Sequence, residues 1–370
     1  MLKLLQKISL VILLAFLLSI GVDYFYRQAF NTKYEWPENL LALPEIADKY
    51  EIVALGNSHS ESGVTFQGYK VKSLRLVSVA QSFEYDFAML KMHSKQIRKG
   101  AVIIINASPL SFSQKVPEKE DDVNMNYYDG RLSPYLIPHL KVSEYLQIQI
   151  VPFVRAGYLW REKNAKSAEE TAMDTFAAQW KKQSPIPKPF SPVVLDTPVV
   201  QVVATRSSMQ TFNVWEIQTE LNAPPEPSEA RLIASMHFMV NKWYNSGGFD
   251  PQYFAENRQG LEELIAYCLQ HNWRPVLITL PISQVLLEGL NPNYLQQYVY
   301  DNLEKMDLKN IDYFNFATNT QLTQNRYLFS NSDHLNEKGA ATVSYLLLQE
   351  LIKIGYLPKE ADGYDYTRQD

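Results

Sequence analysis

Short apolar segments that alternate with helical patterns are the feature of this sequence that most constrains its fold. The run AVIIINAS (residues 101–108) is continuously apolar, which is typical of a central strand buried on both faces of a parallel sheet. Two further runs precede it, EIVALG (51–56) and LRLVSV (74–79), and two follow it, RPVLITLPIS (274–283) and IDYFNF (311–316). Each is short enough and apolar enough to form a strand.

Helical patterns separate these runs. The segment FEYDFAMLKMHSKQIRKG (83–100) places its apolar residues near one helix face, and Gly100 suits a C-terminal stop. Similar patterns cover residues 260–273, 291–306 and 336–355. The alternation predicts an α/β fold in which a parallel sheet is covered by helices on both faces, as in a three-layer sandwich.

The alternation is lost between about residues 111 and 249. This region holds an acidic stretch at 118–122 and proline-rich segments such as SPIPKPFSP and NAPPEPSEA. Because the α/β pattern continues on both sides, we interpret the region as a large, mostly helical insertion within one domain that spans residues 51–360. Residues 27–50 form a polar connector in this interpretation, and residues 361–370 form a tail.

The N-terminus predicts a membrane anchor. MLKLLQK is followed by ISLVILLAFLLSIGV (8–22), which has no charge, and then by DYFYR, whose aromatic residues suit a membrane interface. We expect a single-pass anchor over residues 1–26, with the bulk of the chain periplasmic or at the cell surface. The uncharged run is short for a spanning helix, so a signal peptide cleaved near Ser19 and Gly21 and a buried core helix remain alternatives.

Charge and residue composition indicate which ligands and bonds the chain is not expected to use. The net charge is −5 and the basic residues form no long run, which weighs against nucleic acid. Cys268 is the single cysteine, so no intrachain disulfide can form. The histidines lack H-x-H or H-E-x-x-H spacing and no glycine-rich phosphate loop is present, so the sequence predicts neither a metal site nor a cofactor.

The stretch IVALGNSHSES (52–62) presents Ser58 where a strand ends and a helix begins. A serine becomes a nucleophile when a base takes its proton and nearby N–H groups stabilise the oxyanion. One alternative is that Ser58 only caps the helix, in an S-x-x-E box with Glu61. A lipase-type elbow would need G-x-S-x-G, and here the last position is Ser60. If the turn is sharp, we expect His59 to point away from Ser58.

Four segments resemble the sequence blocks of the SGNH (GDSL-type) hydrolases. GNSHS resembles the first block, with Asn57 where Asp is usual, and SVAQSFEYDFAMLK resembles the second block of membrane-anchored members. VIIINASPLSF resembles the segment after the third strand, and SNSDHLNEKGA resembles the last block, whose histidine precedes LN..GA. The likeness covers residues 50–110 and 255–355. It is greatest to the envelope branch that includes the teichoic acid D-alanine transfer protein and polysaccharide O-acetyltransferases.

The resemblance implies that Ser58 is the nucleophile and His334 the base. The acid of the family stands three residues before the histidine, and that position is Asn331 here. Asp333 is adjacent to His334 and can serve only if the loop bends. Three alternatives therefore stay open: a Ser–His dyad, a triad that uses Asp333, and a site that has lost its activity.

The resemblance also implies donors for an oxyanion. The backbone N–H of Ser58 is the first, and Gln81 or Ser82 supplies a second. Asn106 or Ser108 stands where the third block has its side-chain donor, although Asn106 also suits a purely structural role at a strand end.

From these features we expect an SGNH-like acyltransferase or esterase, tethered to a membrane, that acts on acetyl or similar groups of a cell-envelope polysaccharide. Its partners would be the glycan or acyl donor, the membrane, and a membrane protein of the same pathway. One alternative is a non-catalytic protein of polysaccharide assembly or binding that retains the fold. A second is a lipid esterase.

Overall fold

The computed structural model describes residues 2–33, 49–77, 81–113, 202–203, 209–210, 229–240 and 251–363. Most of the predicted connector, most of the insertion and most of the C-terminal tail lie outside the described residues. The chain divides into two compact units, residues 1–47 with 117–168 and residues 48–116 with 169–370.

The described part of the first unit is one helix, α1 (Leu2–Lys33). Its exposed side chains include many large apolar ones, among them Leu10, Val11, Ile12, Leu17, Leu18 and Phe25. No helix in the described part of the chain combines the length and the apolar character needed to cross a membrane.

The second unit is built on a sheet of five parallel strands. These strands are β1 (Tyr50–Gly56), β2 (Ser73–Val77), β3 (Ile97–Asn106), β6 (Arg274–Thr279) and β7 (Asp312–Asn315). Their order across the sheet is β2-β1-β3-β6-β7. The predicted α/β class and parallel sheet are therefore confirmed. From the insertion, the structure describes an antiparallel pair, β4 (Val202–Val203) with β5 (Met209–Gln210).

Helices connect the strands, as the alternation predicts. They are α2 (Ser58–Gly63), α3 (Phe83–His93), α4 (Pro109–Ser113), α5 (Glu229–Met239), α6 (Phe254–Gln270), α7 (Gln284–Gly289), α8 (Asp301–Glu304), α9 (Thr320–Thr323) and α10 (Glu337–Lys353). A π-helical turn, Gln296–Tyr300, leads into α8. Short 3-10 turns cover Ser94–Gln96, Pro251–Tyr253, Arg326–Leu328 and Lys359–Asp362.

The sheet is buried on both faces. Alternate residues such as Ile52, Val102 and Val276 belong to a core cluster with Val343 and Leu347 of α10. Their neighbours along the strands, including Val53, Ile103 and Leu277, are also fully buried and point to the opposite face. The long apolar runs of the sequence are explained by this burial on two sides.

The predicted helix over 83–100 is too long. The helix ends at His93, and β3 begins at Ile97. Gly100 has φ 75°, and it lies within the strand where the register between β1 and β3 shifts. The glycine therefore permits an irregularity in the sheet and does not terminate the helix.

Candidate active site

The turn after β1 places Ser58 at the start of a short helix. Gly56 has φ 125°, and a Cβ at this position would overlap the Ser60 hydroxyl and lie 2.9 Å from the Cβ of Asn106. Asn57 is the N-cap of α2, and its Oδ1 accepts the His59 N–H at 3.1 Å. Ser58 is then the first residue of α2, and its side chain is half-buried. Because it lies in the first turn, its N–H has no hydrogen-bond acceptor within the helix.

The structure brings Ser58 and His334 together. Oγ of Ser58 lies 2.9 Å from Nε2 of His334, although the residues are 276 positions apart. His334 lies in the loop before α10, and the serine follows β1, so two distant segments meet beside the sheet. The distance is that of a hydrogen bond between a nucleophile and its base.

Asn331 folds the loop that carries the histidine. Its Oδ1 accepts the N–H of Asp333 at 2.9 Å and the N–H of His334 at 2.7 Å, and lies 3.3 Å from Nδ1 of His334. Since two backbone donors point at this oxygen, the amide presents its acceptor, and not its NH₂ group, to the imidazole. An acceptor at this position favours the tautomer that carries its proton on Nδ1.

The bend in this loop directs Asp333 to two imidazoles. Its Oδ2 lies 3.5 Å from Nδ1 of His334, and its Oδ1 lies 2.9 Å from Nε2 of His59. Asn331 Oδ1 is thus the nearer of the two acceptors to Nδ1 of His334, and the Asp333 carboxylate lies close enough to act on the imidazole through its charge.

His59 is the residue that the sequence missed. The expectation that it points away from Ser58 gave it no part in the site, whereas its Nε2 contacts Asp333 and its ring centroid lies 4.9 Å from that of His334. Burial acts to lower the pKa of His59, but the Asp333 carboxylate and its hydrogen bond raise that pKa above its ordinary value. Its position directly after Ser58 was visible in the sequence, but its contact with Asp333 depends on the tertiary fold.

The side chains of Asn57, Asn106, Ser108 and Ser111 form a buried polar layer next to the start of α2. The hydrogen bonds in this layer explain why an amide suits position 57. Asn57 Nδ2 donates to Ser108 Oγ at 3.0 Å and to Ser111 Oγ at 3.2 Å, while Asn106 Nδ2 donates to Asn57 Oδ1 at 3.4 Å. An aspartate at this position could accept hydrogen bonds but could not donate them.

The side chains predicted to stabilise an oxyanion form hydrogen bonds with other groups of the protein. Asn106 and Ser108 belong to the buried polar layer. The Gln81 amide donates to the Leu76 carbonyl at 2.6 Å and to Asp86, and Ser82 caps α3 by accepting the Tyr85 N–H. Their part in stabilising an oxyanion, like that of the Ser58 N–H, stays a prediction.

Asp86 is a buried carboxyl close to the same turn. It is 1% exposed, and one of its oxygens accepts the Gly56 N–H at 2.9 Å. Burial raises the pKa of Asp86 to about 8, against the opposing effect of its hydrogen bonds from Gln81 and Gly56.

Two serines from other segments hold the histidine loop. The Ser332 carbonyl accepts from Ser283 twice, from N–H at 3.1 Å and from Oγ at 2.7 Å. The Ser332 N–H donates to Ser235 Oγ at 3.2 Å, and the two hydroxyls are 2.9 Å apart. Since Ser235 lies in α5, a helix of the predicted insertion contributes to the support of the loop.

A small hollow with room for about one water molecule adjoins the site. His59 and Asp333 form its polar side, and Leu280, Ile282 and Leu295 contribute apolar walls. Among the described residues, His59, Asp333 and His334 also form a group with metal-binding potential, since each offers one donor atom and these atoms lie within 4.8 Å of one another.

Searches with the sequence found no matching family model and no matching curated protein.

Proposed function

We propose that the chain is a serine esterase or acyltransferase of the SGNH type. The observation that carries this proposal is the 2.9 Å contact between Ser58 Oγ and His334 Nε2. Helix capping alone does not account for it, because capping needs no imidazole on the serine hydroxyl.

The surrounding acceptors suit His334 to act as the base. Asn331 and Asp333 both present oxygen atoms to Nδ1, so the neutral ring holds its proton there and keeps a lone pair on Nε2. The ring accepts the Ser58 proton as Oγ attacks an acyl carbonyl, and the Asp333 charge stabilises the imidazolium that forms. His334 then returns the proton to the departing alcohol, which leaves an acyl-serine.

The acyl group passes from Ser58 to an acceptor in the second half of the reaction. His334 takes a proton from water or from a sugar hydroxyl, whose oxygen attacks the acyl carbonyl, and returns that proton to Ser58 Oγ as the ester bond breaks. Water as the acceptor makes the chain an esterase, and a sugar hydroxyl makes it an acyltransferase.

The substrate class follows from the proposed location. We propose that α1 tethers the chain to a membrane, with the bulk of the chain outside the cytoplasm, because the helix exposes Leu10, Val11, Ile12 and similar side chains. An enzyme held there meets polysaccharides assembled at the membrane, so we propose acetyl or similar acyl groups on a cell-envelope glycan. A membrane protein of the same pathway would supply the acyl donor.

A non-catalytic role in polysaccharide assembly is the second candidate. It is favoured by one observation, the uncharged Asn331 at the position where the family has its acid. In this case the Ser58–His334 contact would be structural.

A fluorophosphonate probe tests the proposal, because it labels only an activated serine. We expect labelling of Ser58 in the full-length protein, with loss of labelling in Ser58→Ala and His334→Ala. His271→Ala serves as the matched control, since His271 lies at the end of α6 and contacts Tyr267. A folded protein that is not labelled would favour the non-catalytic role. Hydrolysis of phospholipid micelles, and not of acetylated sugars, would instead identify a lipid esterase.

A further inference from the structure

We propose that His59, Asp333 and His334 form a binding site for a divalent transition-metal ion, with Zn²⁺ as the best-suited ion, and that the bound ion switches Ser58 off. The binding itself is independent of the proposed function, and only the effect on Ser58 rests on it. The sequence predicts no metal site because the ligands come from two segments, the start of α2 and the loop before α10.

The donor set suits zinc. Two imidazoles and one carboxylate are the ligands of many zinc sites that keep an open position for water. Tetrahedral ligands at about 2.1 Å from zinc lie about 3.4 Å from one another. Oδ1 of Asp333 lies 2.9 Å from Nε2 of His59, and one donor atom from each of the three residues lies within 4.8 Å of the other two. Small movements of three side chains would therefore complete the ligand set.

The site is open to an ion from solution. The side chains of His59, Asp333 and His334 are 12%, 14% and 21% exposed. The hollow beside the site is lined by His59 and Asp333, so it gives space for water on the remaining coordination position. The second nitrogen of His334 faces the Ser58 hydroxyl, which fixes the orientation of the ring, as outer partners of ligating histidines do.

Metal binding changes the tautomer on which the proposed base depends. The ion takes the lone pair of Nδ1 of His334, so the proton of the neutral ring moves to Nε2. Nε2 then donates to Ser58 Oγ and has no lone pair to accept the serine proton. The ion also neutralises the Asp333 carboxylate. Serine activation is thus lost while the metal is bound, and removal of the metal restores it.

The binding half is tested with the full-length protein in detergent after treatment with EDTA. Isothermal titration with Zn²⁺ alone should show one ion per chain. His59→Gln and His334→Gln each remove one ligand, and each should weaken binding by roughly tenfold or more. His271→Gln, which changes a histidine at the end of α6, should bind as the wild type does. Circular dichroism checks that the variants are folded.

Absence of Zn²⁺ binding to the wild type, or equal binding by folded His59→Gln or His334→Gln, would overturn the proposal. The switching half is read from the rate at which the fluorophosphonate probe labels Ser58. Zn²⁺ should slow this rate at least tenfold in the wild type, and EDTA should restore it, while His59→Gln should need more Zn²⁺ for the same effect. Zn²⁺ that binds but leaves the labelling rate unchanged would refute the switch. If Ser58 is never labelled, the proposed function fails, whereas the titration still decides the metal site.

Discussion

The Asp333 carboxylate lies 2.9 Å from Nε2 of His59, the residue that follows Ser58 in the chain. One oxygen is oriented by this contact, and the other faces Nδ1 of His334 at 3.5 Å. A carboxylate adjacent in sequence to the histidine thus reaches it because a second histidine and the Asn331 turn fix the loop. The resemblance to the SGNH hydrolases predicts a carboxylate at position 331, and the carboxylate beside the imidazole here is that of Asp333.

Moving the charge tests this arrangement. In the proposed mechanism, Asp333→Asn removes the charge that stabilises the imidazolium, and we expect kcat on an acetyl ester to fall on the order of 10²-fold. Adding Asn331→Asp in the same chain restores a carboxylate whose oxygen can keep the two backbone hydrogen bonds of the loop. The double variant should therefore recover much of the lost activity.

Steady-state kinetics on variants with unchanged circular dichroism provide the measurement. Unchanged kcat in Asp333→Asn would show that the charge is not used. A double variant no better than Asp333→Asn would show that position 331 cannot substitute for it.

Asn57 stands where the SGNH resemblance predicts an aspartate, and its contacts predict the effect of that substitution. In Asn57→Asp, the two hydrogen bonds from Nδ2 to Ser108 and Ser111 are lost unless both hydroxyls turn to donate. Ser111 would then give up its 3.1 Å bond to the Asn106 carbonyl. We expect the free energy of unfolding to fall by about 1–3 kcal/mol.

Asn325→Asp is the matched control, since Asn325 is a partly exposed N-cap whose Oδ1 accepts from Tyr327 at 3.2 Å. Its effect should stay within about 0.5 kcal/mol. Urea denaturation measures both variants, and equal effects at the two positions would count against the buried polar layer as the reason for Asn57.

Local patterns in the sequence predicted the α/β class and the parallel sheet. Apolar runs such as 101–108 reveal burial on two faces because that burial is a property of each strand alone. The end of the helix over 83–100 was misplaced because Gly100 is compatible with both a helix stop and a strand irregularity, and only the pairing with β1 distinguishes them.

The site could be predicted only in part. Ser58 and His334 stand in recognisable motifs, so their meeting was expected. The contact of His59 with Asp333 and the support of Ser332 by Ser235 join segments with no shared pattern, and they depend on how the chain folds back. The sequence could show that position 331 is an amide. It could not show that the amide oxygen accepts two backbone hydrogen bonds and so sets the conformation of the loop.

The buried carboxyl of Asp86 predicts a pH-dependent stability. Its pKa is raised by burial from 3.8 to about 8. Between these values the folded chain holds a proton that the unfolded chain has released, so stability falls as pH rises, by up to about 1.4 kcal/mol per pH unit. Asp86→Asn removes this titration and retains an oxygen that can accept the Gly56 N–H.

Unfolding free energies at pH 5 and pH 7.5 check this prediction. The wild type should lose stability relative to Asp86→Asn as pH rises between them. Asp307→Asn, at an exposed position, should follow the wild type at both values. Parallel behaviour of the wild type and Asp86→Asn would mean that the carboxyl titrates close to its ordinary value.

The contact between Ser235 and Ser332 predicts that the insertion affects catalysis from outside the site. Ser235→Ala leaves the buried Ser332 N–H and hydroxyl without the partner that lies 3.2 and 2.9 Å away, so the loop that positions His334 loses one of its supports. A small displacement of the base should lower kcat by roughly ten- to a hundredfold. KM should change little, because Ser235 does not contact Ser58 or His334.

Thr342→Val controls for the loss of a buried hydroxyl, since Thr342 Oγ1 donates to the Lys338 carbonyl at 2.8 Å within α10. Both variants should lose comparable stability, about 1 kcal/mol, but only Ser235→Ala should lose kcat. Kinetics on an acetyl ester and the rate of fluorophosphonate labelling separate the two effects. If Ser235→Ala keeps the wild-type kcat while it is destabilised as much as Thr342→Val, the contact is structural and the insertion does not position the base.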